Sequence, residues 1–181
     1  MKWNISKEFD FCYGHRVWSQ SLNKKFSIDD KLVCRHLHGH QGKIKVFLET
    51  SKLQSSMVTD FKHLNWLKKF IDDNLDHKFI LDVNDPLYSS LLGDFSNNGK
   101  ACNLIEQEGG YKIADLSILE NVNPHILEMY KSYILVDFVP TSEEISRWIY
   151  KIVQERMQEL DVQVVKVQFF ETPKTCSEYS I

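Results

Sequence analysis

Two stretches of the chain alternate with period two. In residues 2–11, Trp3, Ile5, Phe9 and Phe11 fall on one face with Lys7 interrupting, which predicts a strand. It runs into Phe11-Cys12-Tyr13-Gly14-His15-Arg16, with His15 at its end. From His38 the even positions read His38, His40, Gly42, Ile44, Val46 and Leu48, and the odd positions Gly39, Gln41, Lys43, Lys45, Phe47 and Glu49. That is a half-buried strand whose inner face opens with two histidines and continues as core. The two strands are expected to pair antiparallel.

A spacing near 3.6 takes over at Phe61, Leu64, Leu67, Phe70, Ile71 and Leu75, predicting a helix capped by Thr59 or Asp60 and ending near His77. Tyr133 to Val139 reads as a strand. Ile145, Trp148, Ile149, Ile152, Val153 and Leu160 read as a second helix, with Thr141 and Glu144 as a capping box. Val162 to Phe170 is a last strand, ended by Glu171-Thr172-Pro173.

Residues 19–33 are polar and lack a period, so they read as a loop. Residues 82–132 are punctuated by Pro86, Gly93, Gly99, Gly109, Gly110 and Pro124. Within them, Leu104-Ile105 and Tyr111-Lys112-Ile113 flank Glu-Gln-Glu-Gly-Gly and predict a hairpin. The stretch is too apolar for a disordered linker and reads as an insertion near 83–132 with structure of its own. Strands and helices do not alternate singly, so the expected class is α+β, an antiparallel sheet with two helices packed on one side. At 181 residues the chain is most simply one domain, 1–181.

Composition narrows the function. Net charge is −3, with 43% apolar and 26% charged residues. No basic excess argues for nucleic acid or a membrane surface as partner. The N-terminus carries charge throughout and lacks an apolar signal core. No apolar run approaches the ~20 residues of a spanning helix, and a cytoplasmic protein is expected. Cys12, Cys34, Cys102 and Cys176 are far apart and form no CxxC pair, so reduced thiols are expected.

The chemistry gathers at Cys34-Arg35-His36-Leu37-His38-Gly39-His40. Histidines at i and i+2 of a strand point the same way, so His38 and His40 can grip one metal ion, with His15 as third ligand. Three imidazoles describe a zinc site with an open position. Cys34 can close that site and make it structural. Alternatively it stays off the metal as a base or nucleophile, where a nearby dication favours the thiolate. His36, His63 and His125 default to non-ligands. Asp76-His77 reads either as an imidazole at a helix C-terminus or as an acid–imidazole pair. Glu171 either anchors a ligand or is simply exposed.

The motifs Phe11 to Arg16, Cys34 to His40, Asp60-Phe61, Leu75-Asp76-His77, Pro140-Thr141-Ser142-Glu143 and Glu171-Thr172 together resemble the 6-pyruvoyltetrahydropterin synthase / 6-carboxytetrahydropterin synthase (QueD) family, over roughly 3–82 and 133–173. The resemblance implies a tunnelling fold: an antiparallel four-stranded sheet with two helices on one face. It implies assembly through sheets into a homohexamer of two stacked trimers, with active sites between subunits. It implies Zn2+ held by His15, His38 and His40, and Cys34 as catalytic cysteine with Asp76 and His77 as its partners. Glu171 then holds the pterin's guanidine-like edge by two parallel N–H bonds, and Thr141, Ser142 and Glu143 line the pterin pocket. The implied substrate is 7,8-dihydroneopterin triphosphate. The spacing of Cys34 to His38 resembles the queuosine-pathway branch, which also releases acetaldehyde. The pyruvoyl branch, which only eliminates triphosphate, and a non-catalytic zinc module stay open as alternatives. The chain departs from the family pattern in Cys12-Tyr13-Gly14 before the first histidine and in the long 83–132 stretch.

Overall fold

The computed structural model describes residues 1–22, 25, 33–92, 96–97, 100–101, 103–119 and 122–181. In chain order they form β1 (Trp3–His15), β2 (His38–Thr50), α1 (Asn65–Asn74), β3 (Lys78–Asp82), α2 (Tyr88–Leu92), β4 (Ser96–Asn97) and β5 (Lys100–Ala101). There follow β6 (Leu104–Gln107), β7 (Tyr111–Ala114), α3 (Pro124–Lys131), β8 (Tyr133–Val136), α4 (Ser142–Met157), β9 (Gln163–Thr172) and β10 (Thr175–Ser180). Most of the expected 19–33 loop lies outside the described residues. Its start, Trp18–Leu22, is a 3-10 turn. The chain divides into two compact units: residues 1–12, 40–76 and 141–181, and residues 13–39 and 77–140.

In the first unit, alternation along β2 buries Ile44, Val46 and Leu48 on the face expected, and β1 adds Phe9 and Phe11. β9 runs antiparallel to both β2 and β10, with Val46 opposite Val167 and Gln168 opposite Glu178. Phe169 lies in the core, its ring centroid 6.1 Å from that of Phe11. α4 packs on β9 and β10, burying Ile145, Ile149 and Val153. It starts where the capping signal predicts, with Thr141 Oγ1 accepting from the Glu144 N–H at 3.2 Å. α1 begins as a 3-10 turn, Phe61–Leu64, with the Asp60 carboxylate accepting from the Lys62 N–H. Leu64, Leu67, Ile71 and Leu75 are buried while Phe61 is exposed, so the apolar stripe starts one turn later than its spacing suggests.

In the second unit, β3 pairs parallel with the end of β1, Gly14 opposite Phe79, and parallel with β8, Leu81 opposite Leu135. The expected hairpin is β6–β7, closed by Gln107 opposite Tyr111. Gly109 and Gly110 turn it at φ 98° and 72°, a backbone region open to glycine at no steric cost. Leu81, Leu92 and Leu135 form a core here, packed by Phe79, Leu104 and Tyr130 among others.

Among the described residues the main sheet has eight strands, ordered β10-β9-β2-β1-β3-β8-β7-β6. This corrects the expected four-stranded sheet, and the parallel pairs of β3 correct its being wholly antiparallel. Two strands of this sheet, β3 and β10, carry no pattern that marks them in the sequence. β3 is too short to show a period, and Ile80, Leu81 and Asp82 are buried in succession, as in a strand covered on both faces. β10, Thr-Cys-Ser-Glu-Tyr-Ser, is a polar edge strand that carries no apolar pattern. β8 ends at Val136 rather than Val139.

Candidate metal centre and active site

Parallel pairing puts the C-terminal ends of β1, β3 and β8 side by side. His15 closes β1 and is fully buried. Its Nδ1 donates to the carbonyl of Pro140, four residues beyond β8, at 2.6 Å. A carbonyl only accepts, so Nδ1 carries the proton and Nε2 is the acceptor nitrogen. The same logic fixes His38, whose Nδ1 donates to the His36 carbonyl at 2.7 Å. The two Nε2 atoms then face each other at 3.1 Å.

Two acceptor nitrogens at that distance repel unless a cation lies between them. Four-coordinate zinc with Zn–N near 2.0–2.1 Å has N···N edges of roughly 3.3 Å, so the pair fits that geometry. His40 is two residues along β2, on the same face as His38. One ligand atom from each of His15, His38 and His40 lies within 4.8 Å of the others. The residues fit a metal ion, and backbone carbonyls orient two of the three rings, as second-shell acceptors do in metal sites. Those two carbonyls, of His36 and Pro140, carry no side-chain signal and escape a reading of residue types.

Cys34 is exposed and outside the histidine group. Its carbonyl accepts from the Val17 N–H at 2.7 Å, two residues after His15. Cys12 and Cys176 are also free thiols, and Cys102 lies outside the described residues. Asp76 lies in the turn two residues after α1, and its Oδ1 accepts from the Cys12 N–H at 2.7 Å. His77 follows in the left-handed region, φ 59°, and is exposed.

Glu171 stands near the end of β9, with Oε1 3.6 Å from His40 Nε2, just beyond hydrogen-bond reach. Thr141, Ser142 and Glu143 sit at the start of α4. The Thr141 hydroxyl is the helix cap, the Ser142 carbonyl accepts from Ser177 Oγ at 2.6 Å, and the Glu143 carbonyl accepts from Ser146 Oγ at 2.7 Å. Glu143 also places negative charge in the first helical turn, where the helix dipole favours it.

The sequence profile of 6-pyruvoyl tetrahydropterin synthase matches residues 4–181. The 6-carboxy-5,6,7,8-tetrahydropterin synthase of Aquifex aeolicus is 32% identical over 189 residues, covering 99% of this chain and 98% of that one. The crystal structure of an uncharacterized protein from Wolinella succinogenes is 50% identical with a TM-score of 0.91, covering 99% of this chain and 98% of that one. Both matches span the 83–132 stretch, which is therefore not peculiar to this chain. The Plasmodium vivax 6-pyruvoyltetrahydropterin synthase shares the fold at a TM-score of 0.56 and 18% identity, covering 100% of this chain and 99% of that one. No helix among the described residues is long and apolar enough to cross a membrane. On the full-length profile match and the 32% identity to the Aquifex aeolicus enzyme, the chain belongs to the 6-pyruvoyl tetrahydropterin synthase family.

Proposed function

We propose that the chain is a zinc-dependent 6-carboxy-5,6,7,8-tetrahydropterin synthase. It converts 7,8-dihydroneopterin triphosphate and water into 6-carboxy-5,6,7,8-tetrahydropterin, acetaldehyde and triphosphate, in synthesis of the queuosine precursor. The observation that carries the choice of branch is the full-length likeness to the Aquifex aeolicus enzyme of that name. The converging imidazoles support the chemistry.

His15, His38 and His40 would hold the zinc. Bound zinc supplies a Lewis acid that polarises a side-chain oxygen of the substrate and acidifies the neighbouring C–H. Cys34, lying outside the histidine group, takes and returns a proton on the substrate side chain. His77, with Asp76 before it, is its partner in that transfer. Glu171 accepts two parallel N–H bonds from the pterin edge. Ser142 and Glu143 line the pterin pocket together with Thr141, whose hydroxyl oxygen also serves as the helix cap. The assembly is a cytoplasmic homohexamer of two trimers with sites between subunits.

The test is incubation of the zinc-loaded protein with 7,8-dihydroneopterin triphosphate and identification of the products. Acetaldehyde with a carboxylated pterin supports the proposal. A pyruvoyl product assigns the other branch, and failure to convert this substrate overturns the catalytic reading. Replacing Cys34 by Ala should abolish turnover and leave bound zinc unchanged. Loss of zinc in that variant would make Cys34 a ligand.

A further inference from the structure

Four consecutive residues, His15 at the end of β1 and the three that follow it, are tied to three other segments. His15 donates to the Pro140 carbonyl at 2.6 Å. Arg16 pairs with Asp85, Nε to Oδ2 at 3.2 Å. The Val17 N–H donates to the Cys34 carbonyl at 2.7 Å. Trp18 Nε1 donates to Asp82 Oδ2 at 2.9 Å. Arg16, Asp82 and Asp85 are all buried.

The two carboxylates are themselves held. Asp82 Oδ1 accepts from the Asn84 N–H at 2.8 Å and from Asn84 Nδ2 at 3.0 Å. Asp85 Oδ1 accepts from the Leu87 N–H at 2.8 Å, and the Asp85 N–H donates to the Asp82 carbonyl at 3.0 Å. The topology explains the meeting. β1 and β3 are parallel neighbours with Gly14 opposite Phe79, so the residues that follow each strand emerge at the same end. A buried ion pair is weak evidence of stabilisation, since apolar residues of similar volume often serve as well. Its place directly after a buried imidazole, on a segment that also holds the backbone of Cys34, calls for another account.

We propose that Arg16, Trp18, Asp82 and Asp85 form a positioning bracket that sets the His15 imidazole and the Cys34 backbone in one arrangement. Metal affinity and proton transfer then depend on side chains that touch neither metal nor substrate. The inference rests on the reading of His15 as a metal ligand and Cys34 as proton carrier. Residues that orient a metal ligand from outside are typically worth about 10–100-fold in affinity, and the bracket acts one step further out, so about tenfold is expected.

The test uses the full chain as wild type, Asp85→Asn and Trp18→Phe. The second variant keeps an aromatic ring at the position and removes the N–H together with the five-membered part of the indole. Zinc affinity is measured by competition with a chromophoric chelator. The His15 tautomer is read separately in metal-free protein from 15N-histidine spectra, which a purely stabilising role would leave unchanged. Expected are a single Nδ1–H tautomer for His15 in the wild type, and in both variants a mixture of tautomers with about tenfold weaker zinc binding. Folded variants with unchanged His15 spectra and zinc affinity within about twofold of wild type would overturn the bracket. If Asp85→Asn fails to fold, Trp18→Phe decides alone. A wild type that binds no zinc defeats the metal reading, while the tautomer comparison still decides the bracket.

Discussion

Replacing Gly14 by alanine tests how tightly the strand end beside His15 is packed. A Cβ built there lies 2.5 Å from Cδ2 and 3.0 Å from Cε2 of Phe79, and 3.4 Å from the His38 carbonyl oxygen. The Phe79 ring must retreat by about 0.9 Å to restore ordinary contact, and overpacking of this kind costs roughly 1–3 kcal/mol. The ring is not free to swing, because it stands edge-on to Tyr133 with centroids 5.7 Å apart and packs on the Leu81–Leu135 core. Gly14 is not in the left-handed region, so space rather than backbone strain sets the cost. Urea titrations of Gly14→Ala, Phe79→Ala and the double variant form a cycle. The Gly14→Ala penalty should fall below about 0.5 kcal/mol once the ring is gone, a coupling within the range seen for touching residues. Zinc affinity should drop with stability in the single variant and recover in part in the double, because Gly14 directly precedes His15 in β1. An equal penalty in both backgrounds, or none in either, would refute the packing argument.

Other outcomes follow from the same geometry. Thr141→Ala should cost about 1 kcal/mol of stability from the lost helix cap, seen as a lower urea midpoint, with zinc content unchanged. Zinc at about a hundredfold its Kd should stabilise the fold by about 2.7 kcal/mol, read in calorimetry as a rise of roughly 5–10 °C, and His38→Ala should remove most of that rise. Phe169→Ala empties a fully buried site beside Phe11 and should cost about 3–5 kcal/mol in urea titration. Hydrogen bonds from Lys45 and then Lys43 hold the Glu8 carboxyl below its ordinary value of 4.5. A depressed folded-state value adds stability that is complete above the ordinary value and lost as pH falls through the folded one. The small stability gap between wild type and Glu8→Gln should therefore narrow as pH falls from neutral to below the ordinary value of 4.5, measured by urea midpoints across that range.

The legible parts of the chain were those where side-chain chemistry and periodicity coincide. Alternation in β2 placed His38 and His40 at the start of a core-facing row, and the buried face of β1 ended on His15 as its pattern implied. The hairpin was marked by Gly109-Gly110, and the start of α4 by Thr141 and Glu144. What sequence hid is what tertiary pairing decides. β3 sits between two parallel neighbours and is buried in consecutive positions, so it shows no alternation. β10 pairs with β9 but carries no apolar alternation, so it reads as a polar tail. The bracket was hidden for a related reason. Arg16 and the Asp82–Asp85 turn lie far apart along the chain, and only the parallel pairing of β1 and β3 brings them together. The orienting carbonyls of His36 and Pro140 belong to the backbone, which has no sequence letter of its own.

X-ray absorption at the zinc edge of the loaded protein tests the central claim most directly. Three imidazole nitrogens from His15, His38 and His40 and one further light ligand, at about 2.0–2.1 Å, are the predicted shell, leaving Cys34 free for proton transfer. A sulfur scatterer at about 2.3 Å, or a shell with fewer than three imidazoles, would contradict it.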